Sequence, residues 1–164
     1  MAMSLRLIMV MGFLAIAPAV AAQEKAFIIR HAEKEATGAD PGLTAAGREM
    51  ASNWSRMLAS AGIDIVLHTD ARRSRETGSI IAQALGVGRS ETAMADVAGL
   101  FDLLEFDHAE DNVLIVAHTE TIPGILARLG VEENVRIASD DYRNLFAVTF
   151  GESGEASLVR LRLP

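Results

Sequence analysis

Three short stretches, AFIIR (26–30), IDIVLHT (63–69) and NVLIVAH (112–118), are apolar and rich in β-branched residues at consecutive positions. A strand with one wet face would alternate, so these runs predict strands covered by helices on both faces. Between the first two, LTAAGREMASNWSRMLASAG repeats Met50, Trp54, Met57, Leu58 and Ala61 at helical spacing. Thr44 is its N-cap and Gly62 its stop, and Trp54 and the methionines are assigned to the core. Thr77, Ile80, Ile81, Ala84 and Leu85 form a second helical stripe ending at Gly86, and Val97, Leu100, Phe101 and Leu104 a third. Ile122, Ile125, Leu126 and Leu129, closed by Gly130, form a fourth, with Pro123 in its first turn, where a missing N–H costs nothing.

LFAVTF (145–150) and SLVRLRLP (157–164) flank GESGEA, which predicts a hairpin. Its last strand alternates apolar residues with Arg160 and Arg162, as a half-exposed sheet edge does. Strands alternating with helices predict an α/β fold, a three-layer α/β/α sandwich with a mostly parallel sheet and a C-terminal antiparallel hairpin or edge strand.

The first residues stand apart from this pattern. Arg6, the apolar run from Leu7 to Ala17 and the small residues from Pro18 to Ala22 have the order of a secretory signal peptide. The run is shorter than the roughly 20 residues of a membrane span. Residues 1–22 are therefore expected to be a cleaved signal, with cleavage after Ala21 or Ala22, and residues 23–164 a single periplasmic or secreted domain with no membrane attachment after cleavage. The absence of cysteine excludes disulfides and thiol chemistry. Loss of residues 1–22 removes one Arg and no acid, taking the formal charge from −7 to −8. With no basic run, nucleic acid is not an expected partner.

Ligands of open α/β sheets bind beyond the carboxyl ends of the strands. Three predicted strands end in polar sets: Arg30 and His31; His68, Thr69 and Asp70 leading to Arg72 and Arg73; and His118, Thr119 and Glu120. Arginine forks suit phosphate oxygens, and a neutral histidine among cations can act as nucleophile or donor. The constellation suits phosphoryl transfer through a histidine, and either His31 or His118 could be the nucleophile on these grounds. Four histidines invite a metal reading, but no HxH or HExxH pair occurs and the arginines would repel a cation, so no metal is expected.

The sequence resembles the histidine phosphatase superfamily, also called phosphoglycerate mutase-like, over nearly all of the chain after residue 22. IIRHAEK carries Arg30 and His31 after the first strand, with Ala32 where many members have Gly; TDARRSRETGSIIA carries Arg73; IVAHTETIP carries His118; and LTAAG stands in its expected place. The RHAEK variant is similar to a small bacterial subgroup whose members are often exported. The resemblance implies that His31 attacks phosphorus, that a phosphohistidine forms and water hydrolyses it, and that Arg30, Arg73 and His118 hold the equatorial oxygens. It implies no metal or organic cofactor.

Its implied substrate is a small phosphorylated molecule or a phosphohistidine protein. For the acid that protonates the leaving group, Asp96 and Glu120 rank equally, followed by Glu33. A site lacking that acid would favour good leaving groups such as phosphoramidates and aryl phosphates. Only 44 residues separate Arg73 from His118, which leaves little room for the enclosing lid a phosphomutase needs. A phosphate-binding module without turnover is the alternative of another class. Lys34 is assigned equally to phosphate attraction and to a solvated loop, His68 equally to a neighbouring loop and to substrate, and Arg72, Arg75 and His108 to the surface. Loops 35–43 and 86–96 are expected to set specificity.

Overall fold

The computed structural model describes residues 25–151 and 153–164. The expected signal peptide lies outside the described residues. The elements run β1 (Lys25–Arg30), α1 (Ala45–Leu58), β2 (Ile65–Thr69), α2 (Arg72–Leu85), β3 (Gly88–Thr92), α3 (Val97–Asp102), a π-helical turn (Leu103–Asp107), β4 (Val113–Ala117), α4 (Ile122–Arg128), β5 (Asn144–Phe150) and β6 (Ala156–Arg162). One sheet has the order β3-β2-β4-β1-β5-β6. The first four strands in that order pair in parallel, and β5 and β6 join antiparallel as the expected hairpin.

Successive side chains of the central strands enter opposite layers, which explains their unbroken apolar runs. Ile28, Leu67, Val113, Ile115, Phe146 and Val148 pack with Leu100, Leu104, Ile122, Ile125 and Leu126. Ile29, Val66, Leu114, Val116 and Leu145 pack on the other face with Trp54, Leu58, Ile81 and Ala82. The three-layer sandwich follows from this division of the core.

Three local expectations are corrected. β3 occupies the middle of what was read as a loop over 86–96; its sequence GRSET is exposed or half-exposed throughout, so no apolar run marks it. Met57 is 42% exposed and Ala84 is exposed, because each lies on a flank of its helix that the sheet does not cover. Helix α1 ends at Leu58 rather than at Gly62, which turns the chain three residues beyond the Ala59 cap with φ +72°.

Thr44 is the N-cap of α1, and its hydroxyl accepts from the Gly47 N–H at 2.9 Å. The same hydroxyl donates to Glu33 Oε1 at 2.8 Å, and the Thr44 N–H donates to the Glu33 carbonyl at 3.1 Å. The loop leaving β1 is thereby tied to the first turn of α1, two residues past His31. A carboxylate near that helix end also complements its dipole.

Candidate active site

The carboxyl ends of β1, β4 and β2, neighbours in that order, bring Arg30, His31, Thr69 and His118 together, all buried. The His31 N–H donates to the Ala117 carbonyl at 3.0 Å, which continues the β1–β4 ladder and fixes the residue at the rim. Ala32 is buried beside Leu43 and Ala51, so the methyl group at this position has a seat. Its N–H donates to Thr77 Oγ1 at 3.0 Å, and that hydroxyl donates to the Arg73 carbonyl at 2.7 Å. One hydroxyl therefore joins the loop of His31 to the start of α2.

His31 Nδ1 lies 2.9 Å from the Ala32 carbonyl, an acceptor only, so Nδ1 carries the proton and Nε2 the lone pair. Arg73 Nε–H points at that lone pair from 3.2 Å. Arg73 Nη2 lies 3.4 Å from His118 Nδ1 and 3.3 Å from Met94 Sδ. Because the guanidinium can only donate, neutral His118 keeps its proton on Nε2, directed at Thr69 Oγ1 2.8 Å away. The two imidazoles are 5.2 Å apart between centroids. Arg30 Nη1 donates to the carbonyls of Ser139 at 2.7 Å and Asp141 at 3.4 Å, and its guanidinium lies 3.9 Å from the Tyr142 ring centroid. The Tyr142 ring is in turn 5.8 Å from His31. Arg30 Nε is buried and has no acceptor among the described residues.

Burial lowers the His31 pKa to about 3; the Ala32 carbonyl opposes this, and the charges of His118, Arg30 and Arg73 reinforce it. Burial and Arg73 lower His118 to about 4 against the opposing charge of Glu120. Both rings are neutral near pH 7 in the free protein. Their imidazole C–H resonances should therefore hold the neutral position from about pH 8 down to about pH 5; a midpoint near 6.5 for either ring would contradict this environment. The linkage has a definite sign. Between pH 6.5 and the lowered values the unfolded chain binds more protons, so this contribution to stability is complete above 6.5 and is lost as pH falls through the window.

The three candidate acids are dispersed. Asp96 caps α3 through the Gly99 N–H at 2.8 Å, and Glu33 is engaged with Thr44. Exposed Glu120 is the one of the three whose charge acts on His118. Asp40, absent from the sequence-based candidates, lies 3.8 Å from Arg73 Nη1 while accepting from the Arg72 N–H at the start of α2. Met94 and Tyr142 were also missed, and Thr69, though read in the polar set ending the second strand, was given no role there. Tyr142 is the chain's one tyrosine, set in the polar stretch SDDYRN, and that isolation was the available signal.

His68 turns from the rim: Nδ1 lies 3.0 Å from the Thr69 carbonyl and 3.7 Å from Glu91 Oε2. Arg72 pairs with Glu76 at 2.7 Å and Arg75 with Glu91 at 2.9 Å, both on the surface. His108 is half-buried against Asp111 at 2.8 Å rather than solvated. Among the described residues, no group of three or more His, Asp and Glu side chains is arranged to hold a metal ion.

The sequence profile of the histidine phosphatase superfamily (branch 1) matches residues 26–93. Among solved structures, the protein histidine phosphatase SixA complexed with tungstate superposes with a TM-score of 0.67 at 18% identity, covering 84% of this chain and 96% of that one. SixA from Agrobacterium tumefaciens gives 0.64 at 18% identity, covering 86% and 99%. Mycobacterial glucosyl-3-phosphoglycerate phosphatase, complexed with VO3, gives 0.63 at 12% identity, covering 86% and 100%. At these identities the likeness is one of fold. A search of curated protein sequences returns no significant match.

Proposed function

We propose that the chain is a member of the histidine phosphatase superfamily, whose profile matches residues 26–93, and that it is an exported phosphatase that hydrolyses a phosphohistidine or a phosphomonoester through a phosphohistidine on His31. The observation that carries this reading is the His31 imidazole, whose Nδ1–H is fixed on the Ala32 carbonyl so that the Nε2 lone pair faces the guanidinium of Arg73. His118, with its Nε2 proton on Thr69, also turns a lone pair towards Arg73, from Nδ1 at 3.4 Å, so the choice of His31 as the nucleophile rests on the resemblance of IIRHAEK to the family motif.

In the reaction a phosphoryl group displaces Arg73 from the lone pair. Nε2 attacks phosphorus in line, the N–P bond forms, and the P–O or P–N bond to the leaving group breaks. Arg73 and the unpaired Nε–H of Arg30 gather around the equatorial oxygens, where charge is spread in a loose transition state, and His118 joins them with a proton taken from solvent onto Nδ1 as the phosphate binds. Water then attacks phosphorus from the side the leaving group vacated. It returns the electron pair to Nε2 and loses a proton to solvent as inorganic phosphate departs. The chemistry calls for no metal or organic cofactor.

Leaving-group protonation orders the substrates. Asp96 and Glu33 are engaged at helix starts, and Glu120 is exposed, so a leaving group that departs readily is favoured. A phosphoramidate such as phosphohistidine meets that need better than an alkyl ester. A phosphomutase is disfavoured because α2, β3, α3 and the π-helical turn occupy most of the interval between Arg73 and His118.

The test is turnover of an aryl phosphate and of a phosphohistidine peptide, with EDTA present throughout. Turnover of both is expected, and an alkyl phosphate run beside them should be turned over more slowly than the phosphoramidate. Phosphate binding without turnover of any substrate would replace the enzyme reading with the binding module.

A further inference from the structure

The alternation of Arg160 and Arg162 along the last strand has a purpose beyond an exposed edge. β6 pairs with β5 so that Arg162 faces Asn144, and β5 pairs with β1 so that Leu145 faces Ile29. One further step along that antiparallel ladder sets Asn144 opposite Arg30. Arg30, Asn144 and Arg162 thus form one row across three strands, with their side chains on the same face of the sheet.

Arg162 ties the loop beside this row to the start of β5. Its Nη1 donates to Asn144 Oδ1 at 2.9 Å, and its Nη1 and Nη2 reach the Asp141 carboxylate at 2.8 and 3.3 Å. Asn144 is buried and its oxygen is shared with Arg160, whose Nε and Nη2 stand at 3.0 and 2.9 Å. The carbonyls of Ser139 and Asp141 receive Arg30 Nη1, and Tyr142 stacks on the same guanidinium. Burial would raise the Asp141 pKa, but the hydrogen bonds from Arg162 and the Arg143 N–H, with the Asn144 amide beside them, outweigh it and hold the carboxyl below its ordinary range.

We propose that Arg162 is a positioning residue: by gripping Asp141 and Asn144 together, it fixes the 139–142 loop that aims the Arg30 guanidinium at the substrate phosphate. The role assigned to Arg30 rests on the phosphatase reading; the grip itself does not. The Arg162 side chain is 53% exposed, so the ion pair by itself contributes little to global stability. A planar fork spanning two oxygens is also something a lysine cannot reproduce.

The experiment is a double-mutant cycle of Arg162→Ala and Arg30→Ala, with Arg162→Lys alongside. Three quantities are read: kcat/KM on an aryl phosphate, affinity for tungstate by calorimetry, and Tm. Arg162→Ala is expected to lower kcat/KM and tungstate affinity about tenfold with Tm nearly unchanged, and Arg162→Lys to recover only part. With Arg30 already replaced, Arg162→Ala should add less than about twofold. The same tenfold loss in both backgrounds, or no loss in the wild-type background, would overturn the proposal. Absence of wild-type turnover with a non-additive tungstate cycle overturns the phosphatase reading and leaves the positioning role. An additive cycle in an active enzyme does the reverse, and an inactive protein that does not bind tungstate overturns both.

Discussion

Replacing His31 with alanine should lower turnover of an aryl phosphate by roughly 10⁴-fold or more, because under the proposed mechanism it removes the atom to which the phosphoryl group is transferred. Affinity for inorganic phosphate should fall far less, since Arg30, Arg73 and His118 remain. In the wild-type protein, a reaction quenched in base should yield a phosphoryl group on His31 that is stable to base and labile to acid, as a phosphoramidate is. His118→Ala should slow the reaction while leaving that adduct on His31. An adduct on His118, or turnover surviving in His31→Ala, would reverse the proposed assignment of the nucleophile.

The parts of this site that could be read from sequence are those attached to strand ends. β1, β2 and β4 announce themselves because both of their faces are buried, and each delivers its polar set at a fixed place on the rim. The loops beyond those strand ends were harder to read. Sequence ranks Asp96 and Glu120 equal and Glu33 behind them, and only the path of the chain engages Asp96 and Glu33 at helix starts. Tyr142 and the Ser139 carbonyl reach Arg30 from more than 100 positions away, along a loop with no periodicity. β3 escaped notice for a different reason: an exposed edge strand is recognised by its neighbour's backbone, and GRSET has no apolar side chains to report that pairing.

Gly47 shows how closely fold and site are joined, and it carries the second large expected effect. Its φ is not positive, so the position does not depend on glycine's backbone freedom. What it requires is space: a Cβ built there would fall well inside contact distance of the Glu33 carbonyl oxygen. That oxygen is backbone, is held by the Thr44 N–H at 3.1 Å, and lies two residues from His31. Alanine would gain about 1 kcal/mol in helix propensity. Relieving the contact, however, means moving either the first turn of α1 or the loop that follows His31, at a cost of about 3 kcal/mol or more. Gly47→Ala should therefore lower Tm by roughly 10 °C and depress kcat by displacing His31 from Arg73. Gly124→Ala in α4 supplies the contrast, because nothing lies within 4 Å of the added methyl group. That variant should be as stable as the wild type or more so, with activity intact. If both variants gained stability, propensity rather than space would govern residue 47, and the close packing of the Glu33 backbone on α1 would not be what holds His31 at the rim.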